Sequence, residues 1–553
     1  MSASKISKCD YQKTINAMKE ADTYENCRTV LNGGVFFDSP YIVNNSEILP
    51  FLKQKPNRRL FQELFALADS KGVFDLEFCH GIPCVTLAAG ARHMTRKWPR
   101  DNAGMAELIK HKYPDKYENC LIKTAEAYLS RTEMQAFGRV LNCPADFKKN
   151  LGIAHVFWQR SNTGKLYRDK KWFVHQRIES HAELLRLCAE LLKEYAGQSV
   201  PLPQTLYKSV IYLTHYLYCL GISPQTCGPW EEIPFPKGSN WDCACIIAAF
   251  ESVQKMAAAL SDANYNLVVR EEDRLCRKFR RTPLIRRPDK LRSYCQKSLA
   301  VIRRHYLDEF RGCTNRVDAA SVMLAAAYLP LDDIPAEDVK KRLELLKLFE
   351  KNLLGRFGAR RYSQFRLKID SGQIDSCDSY LQLNYNILVD NRDFLIKADK
   401  KDWIRRQENE DNDASTARGF NERRQACDEK SSAQWGLPLS YAAIAYCKMV
   451  LKLQSVCPSS VERDKLLAVC RQGAEYFIKR CYAAISGRNA DGTIPFKANG
   501  EPSLPWKKPE AYQAVSKFGS PQEWAFIPGV NSHLGWDAAK CWEASRLYLQ
   551  TLA

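Results

Sequence analysis

The sequence predicts an all-α protein of helical hairpins set around one axis. Three observations predict it. Apolar residues recur at helical spacing through most of the chain. Strand-like alternation is sparse and short. The segments between helices gather Trp, Gly, Pro, Arg and carboxylates, as in Lys97–Asp101, Gly228–Glu232 and Pro505–Tyr512, and function concentrates in loops held by a rigid scaffold. The clearest helix is Arg177–Tyr195, where Leu184, Leu185, Leu187, Cys188, Leu191 and Leu192 form one broad apolar face. Similar patterns predict helices at Leu206–Leu220, Trp241–Leu260, Ala319–Tyr328, Val339–Leu354, Gln434–Leu453, Val461–Ile478 and Trp536–Leu549. Strand candidates lie at Val73–Cys79, Ile153–Trp158 and Gln364–Ile369. No strict sequence repeat accompanies the repeated helix, rich loop, helix pattern.

The chain has 553 residues, 45% hydrophobic and 26% charged. That is ordinary globular composition. It excludes a largely disordered chain, a collagen-like chain and a small disulfide scaffold. At about 150 residues per domain the length allows three or four domains, but one large helical toroid also uses most of it. The expected division is an N-terminal extension or cap over residues 1–70, polar and mixed in its first fifty, and a single catalytic domain over 71–553. Asp399–Ser432 is dense in both charge signs and reads as an exposed loop.

Lysine and arginine exceed Asp and Glu by 82 to 63, a net charge of +19. The excess is uneven. Arg270–Arg304 carries thirteen Lys/Arg against four acids (Glu271, Glu272, Asp273 and Asp289), so that this stretch alone holds +9. No zinc-finger, RNA-recognition or phosphate-loop signature accompanies it. Nucleic acid is therefore not the expected partner, and the stretch reads as an outer-face or partner-docking feature. The 21 cysteines are dispersed. The closest two are Cys243 and Cys245, and no paired ligands of zinc-site spacing occur. They are expected to be buried free thiols, with no metal or cofactor. This favours a reducing, cytoplasmic compartment. The start lacks an apolar signal core, so the alternative is export into a host cell by a route without a conventional signal peptide. No run of about 18 apolar residues predicts a membrane span.

Three loops carry candidate chemistry. In Gly228-Pro229-Trp230-Glu231-Glu232, adjacent carboxylates repel, and packing against Trp230 desolvates them. Those are the conditions a general acid near neutral pH needs. In Trp98-Pro99-Arg100-Asp101, an Arg–Asp pair beside Trp can grip two vicinal hydroxyls; a helix-start ion pair is the structural alternative. Near the C-terminus come Pro509-Glu510-Ala511-Tyr512, Gln522-Glu523-Trp524 and Leu534-Gly535-Trp536-Asp537-Ala538, and either Glu510 or Glu523 supplies a second carboxylate. Two such carboxylates flanking a glycosidic bond make a sugar-cleaving site.

Taken in order, these motifs resemble the glucoamylase family of inverting α-glucosidases, glycoside hydrolase family 15. Its non-catalytic relative is the glucan-binding domain of phosphorylase kinase regulatory subunits. The early W-x-RD loop is Trp98 to Asp101. Gly164, Tyr167, Asp169, Trp172 and Gln176 loosely match the next stretch. There the family's acidic residue two positions after the Gln is replaced by Ile178, with Glu179 one place late. The WEE loop follows at Trp230, Glu231 and Glu232. Then come Gly358, Arg361 and Tyr362, the Trp435, Leu437 and Ala443 helix, Asp491-Gly492, Glu510, and Trp536. The resemblance spans roughly residues 75–550.

That resemblance implies an (α/α)6 toroid with the site at one end. It implies Glu231 as general acid and Glu510 as general base, with Glu523 as the alternative base because Asp491-Gly492 sits well before Pro509. Arg100 and Asp101 hold the terminal sugar. Trp98, Trp172 and Trp230 wall the pocket, and Gln176, Glu232, Arg361 and Trp536 complete the substrate contacts. The implied substrate is an α-1,4-glucan such as glycogen, starch or a maltooligosaccharide, cut from the non-reducing end to release β-D-glucose by a monomeric enzyme. A non-catalytic glucan-binding module is the other reading.

Overall fold

The computed structural model describes residues 43–84, 99–148, 177–196, 201–222, 238–307, 317–327, 329–360, 434–487, 504–509 and 533–553, with isolated positions and the backbone of short strands between them. Twelve helices alternate between an inner and an outer ring. The inner helices are α2 (Pro99–Lys112), α4 (Ile178–Ala196), α6 (Asn240–Ala259), α8 (Ala320–Ala326), α10 (Leu437–Ser455) and α12 (Gly535–Thr551). The outer ones are α1 (Arg58–Ser70), α3 (Pro114–Tyr128), α5 (Gln204–Cys219), α7 (Pro288–Arg304), α9 (Pro335–Leu353) and α11 (Val461–Ala483).

The inner ring closes. Each inner helix packs on the next, from α2 to α4, α6, α8, α10 and α12, and α12 returns to α2. The outer helices pack against them: α1 on α12, α3 on α2 and α4, α5 on α4, α7 on α6, α9 on α8 and α10, α11 on α10 and α12. The chain is thus an (α/α)6 toroid. Helix α1 lies inside the segment expected from sequence to be an extension, yet Phe61, Leu64 and Ala68 bury its inner face, and Phe61 meets Tyr548 of α12 edge to face at 4.8 Å.

Local signals place these helices. Ser239 caps α6 by accepting from Asp242 N at 3.2 Å, and Ser460 caps α11 by accepting from Arg463 N at 3.1 Å. Proline stands in the first turn of α3, α7, α9 and α10, where its missing N–H costs nothing. Alanines in α8, α10 and α12 let inner helices approach closely. Helix α10 approaches α11 where Gly473 faces Tyr446: a Cβ there would sit 2.4 Å from the ring.

Alternation makes the inner helices parallel. The links entering their N-termini are long, including 220–239, 354–436 and 484–534, whereas most links leaving their C-termini are short, as at Tyr113 and 456–460, the exception being 260–287 with its extra helix. Two small antiparallel sheets belong to the long-loop end. One joins Arg96–Lys97, Trp158–Arg160 and Leu166–Arg168; the other joins Gln434–Trp435, Ala511–Lys517 and Ser520–Pro528.

The helices expected from periodicity are all present, with shifted ends; of Gln434–Leu453, Gln434–Trp435 is a strand and the helix begins at Leu437. Strand expectations fare less well. Of Val73–Cys79 only Phe78–Cys79 is a strand, paired with Ile82–Pro83. Val73 and Phe74 instead fill the core at the turn after α1. Of Ile153–Trp158, Ala154 is outside any strand and Trp158 opens one, while the other positions lie outside the described residues. The candidate Gln364–Ile369 and the charged loop Asp399–Ser432 lie outside the described residues. Among the described residues no helix is long and apolar enough to cross a membrane, and the described cysteines are free, most of them buried.

One buried carboxylate organises the outer face. Glu272, on the extra helix Asp262–Phe279, accepts from His215 Nε2 at 2.9 Å and from the backbone N–H groups of Leu284 (2.6 Å), Ile285 (2.8 Å) and Arg286 (3.2 Å). Cys276 lies close enough to complete a three-ligand cluster, but the carboxylate oxygens are already engaged by these donors. Burial by itself would raise the Glu272 pKa, but the His215 ring and the backbone donors outweigh it and hold the carboxyl below its ordinary value. A depressed native pKa stabilises the fold above the unfolded value and loses that contribution as pH falls through the native one. Glu272→Gln should therefore lower stability at pH 7 by about 1–3 kcal/mol. It should also flatten the acid limb of the stability curve, measured by urea unfolding from pH 7 to pH 3.

Candidate active site

Arg100 opens the site. Pro99 starts α2 and puts Arg100 in its first turn, beside the buried Asp101. The guanidinium donates to Asp101 Oδ2 from Nη2 at 3.1 Å and from Nε at 3.3 Å. Its Nη1 donates to the carbonyl of Pro229, the residue before Trp230. Its Cζ lies 4.9 Å from the centre of the Trp536 ring, a cation–π distance. Three segments picked out separately in the sequence therefore meet through Arg100, Pro229 and Trp536 at one guanidinium, at the long-loop end of the inner ring.

Trp536 is fixed on both sides. Its Nε1 donates to Tyr441 Oη at 3.2 Å, and Tyr441 in turn packs edge-on to Trp241 with ring centres 6.2 Å apart. Its indole occupies the space left by Gly104, where a Cβ would stand 2.0 Å from Trp536 Cδ1. Backbone-side room of that kind admits no side chain without moving the indole. Gly104→Val should displace Trp536 and break the Arg100 stack, which quenching of tryptophan fluorescence by acrylamide would report as greater indole exposure.

Glu179, in the first turn of α4, is fully buried and accepts from Ser180 Oγ at 3.1 Å. Burial raises its pKa, while the positive charges of Arg177 and Arg100 oppose that rise. It was not among the candidate site residues. The available signal was the acidic residue following Gln176, displaced by one position.

Below this mouth runs a cavity of about 550 Å³ along the toroid axis. Arg100, Glu179, Trp241, Tyr441 and Trp536 line its upper part, and Glu183, Arg186, Lys448, Lys540 and Glu543 its walls further down. Arg186 pairs with Glu183 and Glu190, each at 2.9 Å, and Lys540 with Glu543 at 2.7 Å, while Lys448 Nζ donates to the Ala326 carbonyl at 2.8 Å. A polar lumen dilutes the apolar periodicity of the inner helices. Helix α2, polar on its lumen side, was accordingly legible only as the helical run beside Trp98–Asp101.

The C-terminal carboxylate loop is anchored beside the same mouth. Lys508 is fully buried, 3.3 Å from Asp537 Oδ2, and donates to the Cys481 carbonyl at 3.0 Å. Burial disfavours its charge, but the Asp537 carboxylate outweighs that and holds its pKa above the ordinary lysine value. Asp537 Oδ1 accepts from Ser440 Oγ at 2.7 Å. The backbone is clamped too: Lys508 N donates to His533 Nδ1 at 3.2 Å, and Leu534 N donates to Lys508 O at 2.8 Å. On the far side of Glu510, Tyr512 Oη donates to Ala484 O at 3.2 Å. The chain entering and leaving Glu510 is thus fixed at both ends.

Of the sequence candidates, Arg100, Asp101 and Trp536 are brought together. Glu523 has its backbone in the strand Ser520–Pro528, between the pairs Lys517–Ser520 and Ser516–Trp524, where the register shifts. Trp98, Trp172, Gln176, Trp230, Glu231, Glu232, Arg361 and Glu510 lie outside the described residues. Lys508 and Asp537 were not candidates, since a buried ion pair leaves no spacing signature.

No family model and no curated protein sequence matches the chain. Solved structures do. The chain is similar to the glucoamylase from Saccharomycopsis fibuligera, with 10% identity over 91% of this chain and 98% of that one and a TM-score of 0.43. It is similar to a wild-type glycosidase at 12% identity, covering 91% and 98%, with a TM-score of 0.46. A glycosidase variant in complex with glucose gives 13% identity, 92% and 100% coverage, and a TM-score of 0.45. The assignment of the fold rests on the closure of the inner ring itself.

Proposed function

We propose that the protein is an inverting, exo-acting α-glucosidase of the glucoamylase type, releasing β-D-glucose from the non-reducing ends of glycogen, starch or maltooligosaccharides. The observation that supports it is the junction at Arg100, which ties the loop before Glu231 to a buried carboxylate and an indole. An Arg–Asp pair beside a tryptophan offers directional donors and acceptors to vicinal hydroxyls and an apolar face to a sugar ring. In this reading Glu231 protonates the glycosidic oxygen. Glu510, or Glu523 in its place, deprotonates a water that attacks the anomeric carbon from the opposite face. The two carboxyls stand about 6.5–9.5 Å apart, which leaves room for that water. Trp98, Trp172 and Trp230 wall the first subsite, and Gln176, Glu232 and Arg361 hold hydroxyls around it. The chemistry uses no cofactor.

Incubation with glycogen, followed by proton NMR of the fresh product, tests the reading. β-Glucose is the expected product. Initial α-glucose would overturn inversion. Glycogen binding with no sugar released would favour the glucan-binding module instead.

A further inference from the structure

The basic stretch Arg270–Arg304 has no part in the sugar site, and the fold makes its surface more positive than its composition. Of its four acids, Asp289 is exposed in the first turn of α7 and Glu272 is fully buried under the 284–286 turn. Glu271 is shared between Arg274 at 2.9 Å and Lys208 at 4.0 Å, and Asp273 faces Arg286 at 3.4 Å. Arg270, Arg277, Arg280, Arg287, Arg292 and Lys297 are all exposed, and none has a carboxylate partner among the described residues.

The frame beneath them is stiff. Glu272 fastens the turn carrying Arg286 and Arg287 to the helix Asp262–Phe279. Arg280 ends that helix in the left-handed conformation at φ 52°, and Arg281 Nε donates back to the Leu141 carbonyl at 2.6 Å. Arg270, Arg274 and Arg277 follow one another on one helix face, spaced by about 6 Å and about 4.5 Å at 1.5 Å per residue.

The chemistry of these side chains selects the partner. Ten of the thirteen cations are arginine, whose planar fork matches phosphate oxygens and is only weakly hydrated. A membrane-lying face needs a row of apolar anchors as well, and this helix exposes a single large apolar side chain, Leu267. A rigid, arginine-rich, anchor-free face complements a dense row of phosphates such as duplex nucleic acid presents, about one charge per 1.7 Å of axis. Against the expectation from sequence, we propose that this outer face binds the phosphate backbone of duplex nucleic acid, without reading its bases.

The test uses the full chain and a fluorescein-labelled 20-base-pair DNA duplex, with binding followed by anisotropy between 50 and 200 mM salt. Four phosphate contacts predict a weakening of about 150-fold across that range. The triple variant Arg277→Glu, Arg287→Glu, Arg292→Glu, with its melting temperature unchanged, should bind at least tenfold more weakly and with a shallower salt slope. Lys465→Glu, on the exposed side of α11, should leave binding unaltered. Undiminished binding by the triple variant, salt-insensitive binding, or stronger binding to vesicles containing phosphatidylserine than to the duplex would overturn the proposal. None of these readouts depends on sugar cleavage.

Discussion

Glu231→Gln should lower glucose release from maltooligosaccharides by about 10²–10⁴-fold in kcat, the contribution of a positioned general acid. The amide keeps the size of the carboxyl and cannot give up a proton, so circular dichroism and thermal melting should be unchanged. KM should move little, since the lost interaction is made only as the glycosidic bond breaks. The same comparison distinguishes the two candidate bases. Glu510→Gln should show a loss of similar size while Glu523→Gln stays within a few-fold of the parent; the reverse ordering would transfer the role to Glu523. Near-normal activity in Glu231→Gln would remove that residue from the mechanism.

Lys508→Met should destabilise the protein by about 3–5 kcal/mol, because it leaves the Asp537 carboxylate buried without its counter-charge. The geometry behind this is the 3.3 Å approach of Lys508 Nζ to Asp537 Oδ2, with both side chains fully out of solvent. Equilibrium urea unfolding measures the loss. The double variant Lys508→Met, Asp537→Leu should recover a good part of it, since removing both charges removes the desolvation cost as well. Activity in the single variant should fall more than stability at 25 °C explains, because the Lys508 side chain ties the segment two residues before Glu510 to Asp537 and to the Cys481 carbonyl. A Lys508→Met protein with parental stability would mean that this ion pair is not formed.

The longest helices of the toroid were legible because of their apolar faces: α4, α6, α9, α10 and α11 could be read from periodicity alone. Helix α2 was legible only as a run beside Trp98–Asp101, because it turns polar side chains into the lumen. Helices α1, α3 and α7 were not read, and α7 carries an arginine-rich exposed face. Arg100, Asp101 and Trp536 were legible as members of short motifs that combine an indole with charge. Glu179 was visible only as a displaced acid. Lys508 and Asp537 were not visible at all, since a lysine and an aspartate 29 positions apart signal nothing until the chain folds.

The sequence by itself determined an all-α chain, a set of aromatic and carboxylate loops, and a strong positive excess, because helical period, residue type and charge are local properties. The tertiary structure alone decided that six helices close into a ring, that Arg100 meets both Pro229 and Trp536, and that Glu272 is withdrawn from the basic surface. Those outcomes depend on which distant segments share the same few ångströms, and burial then sets whether a charge is paired inside or offered outside.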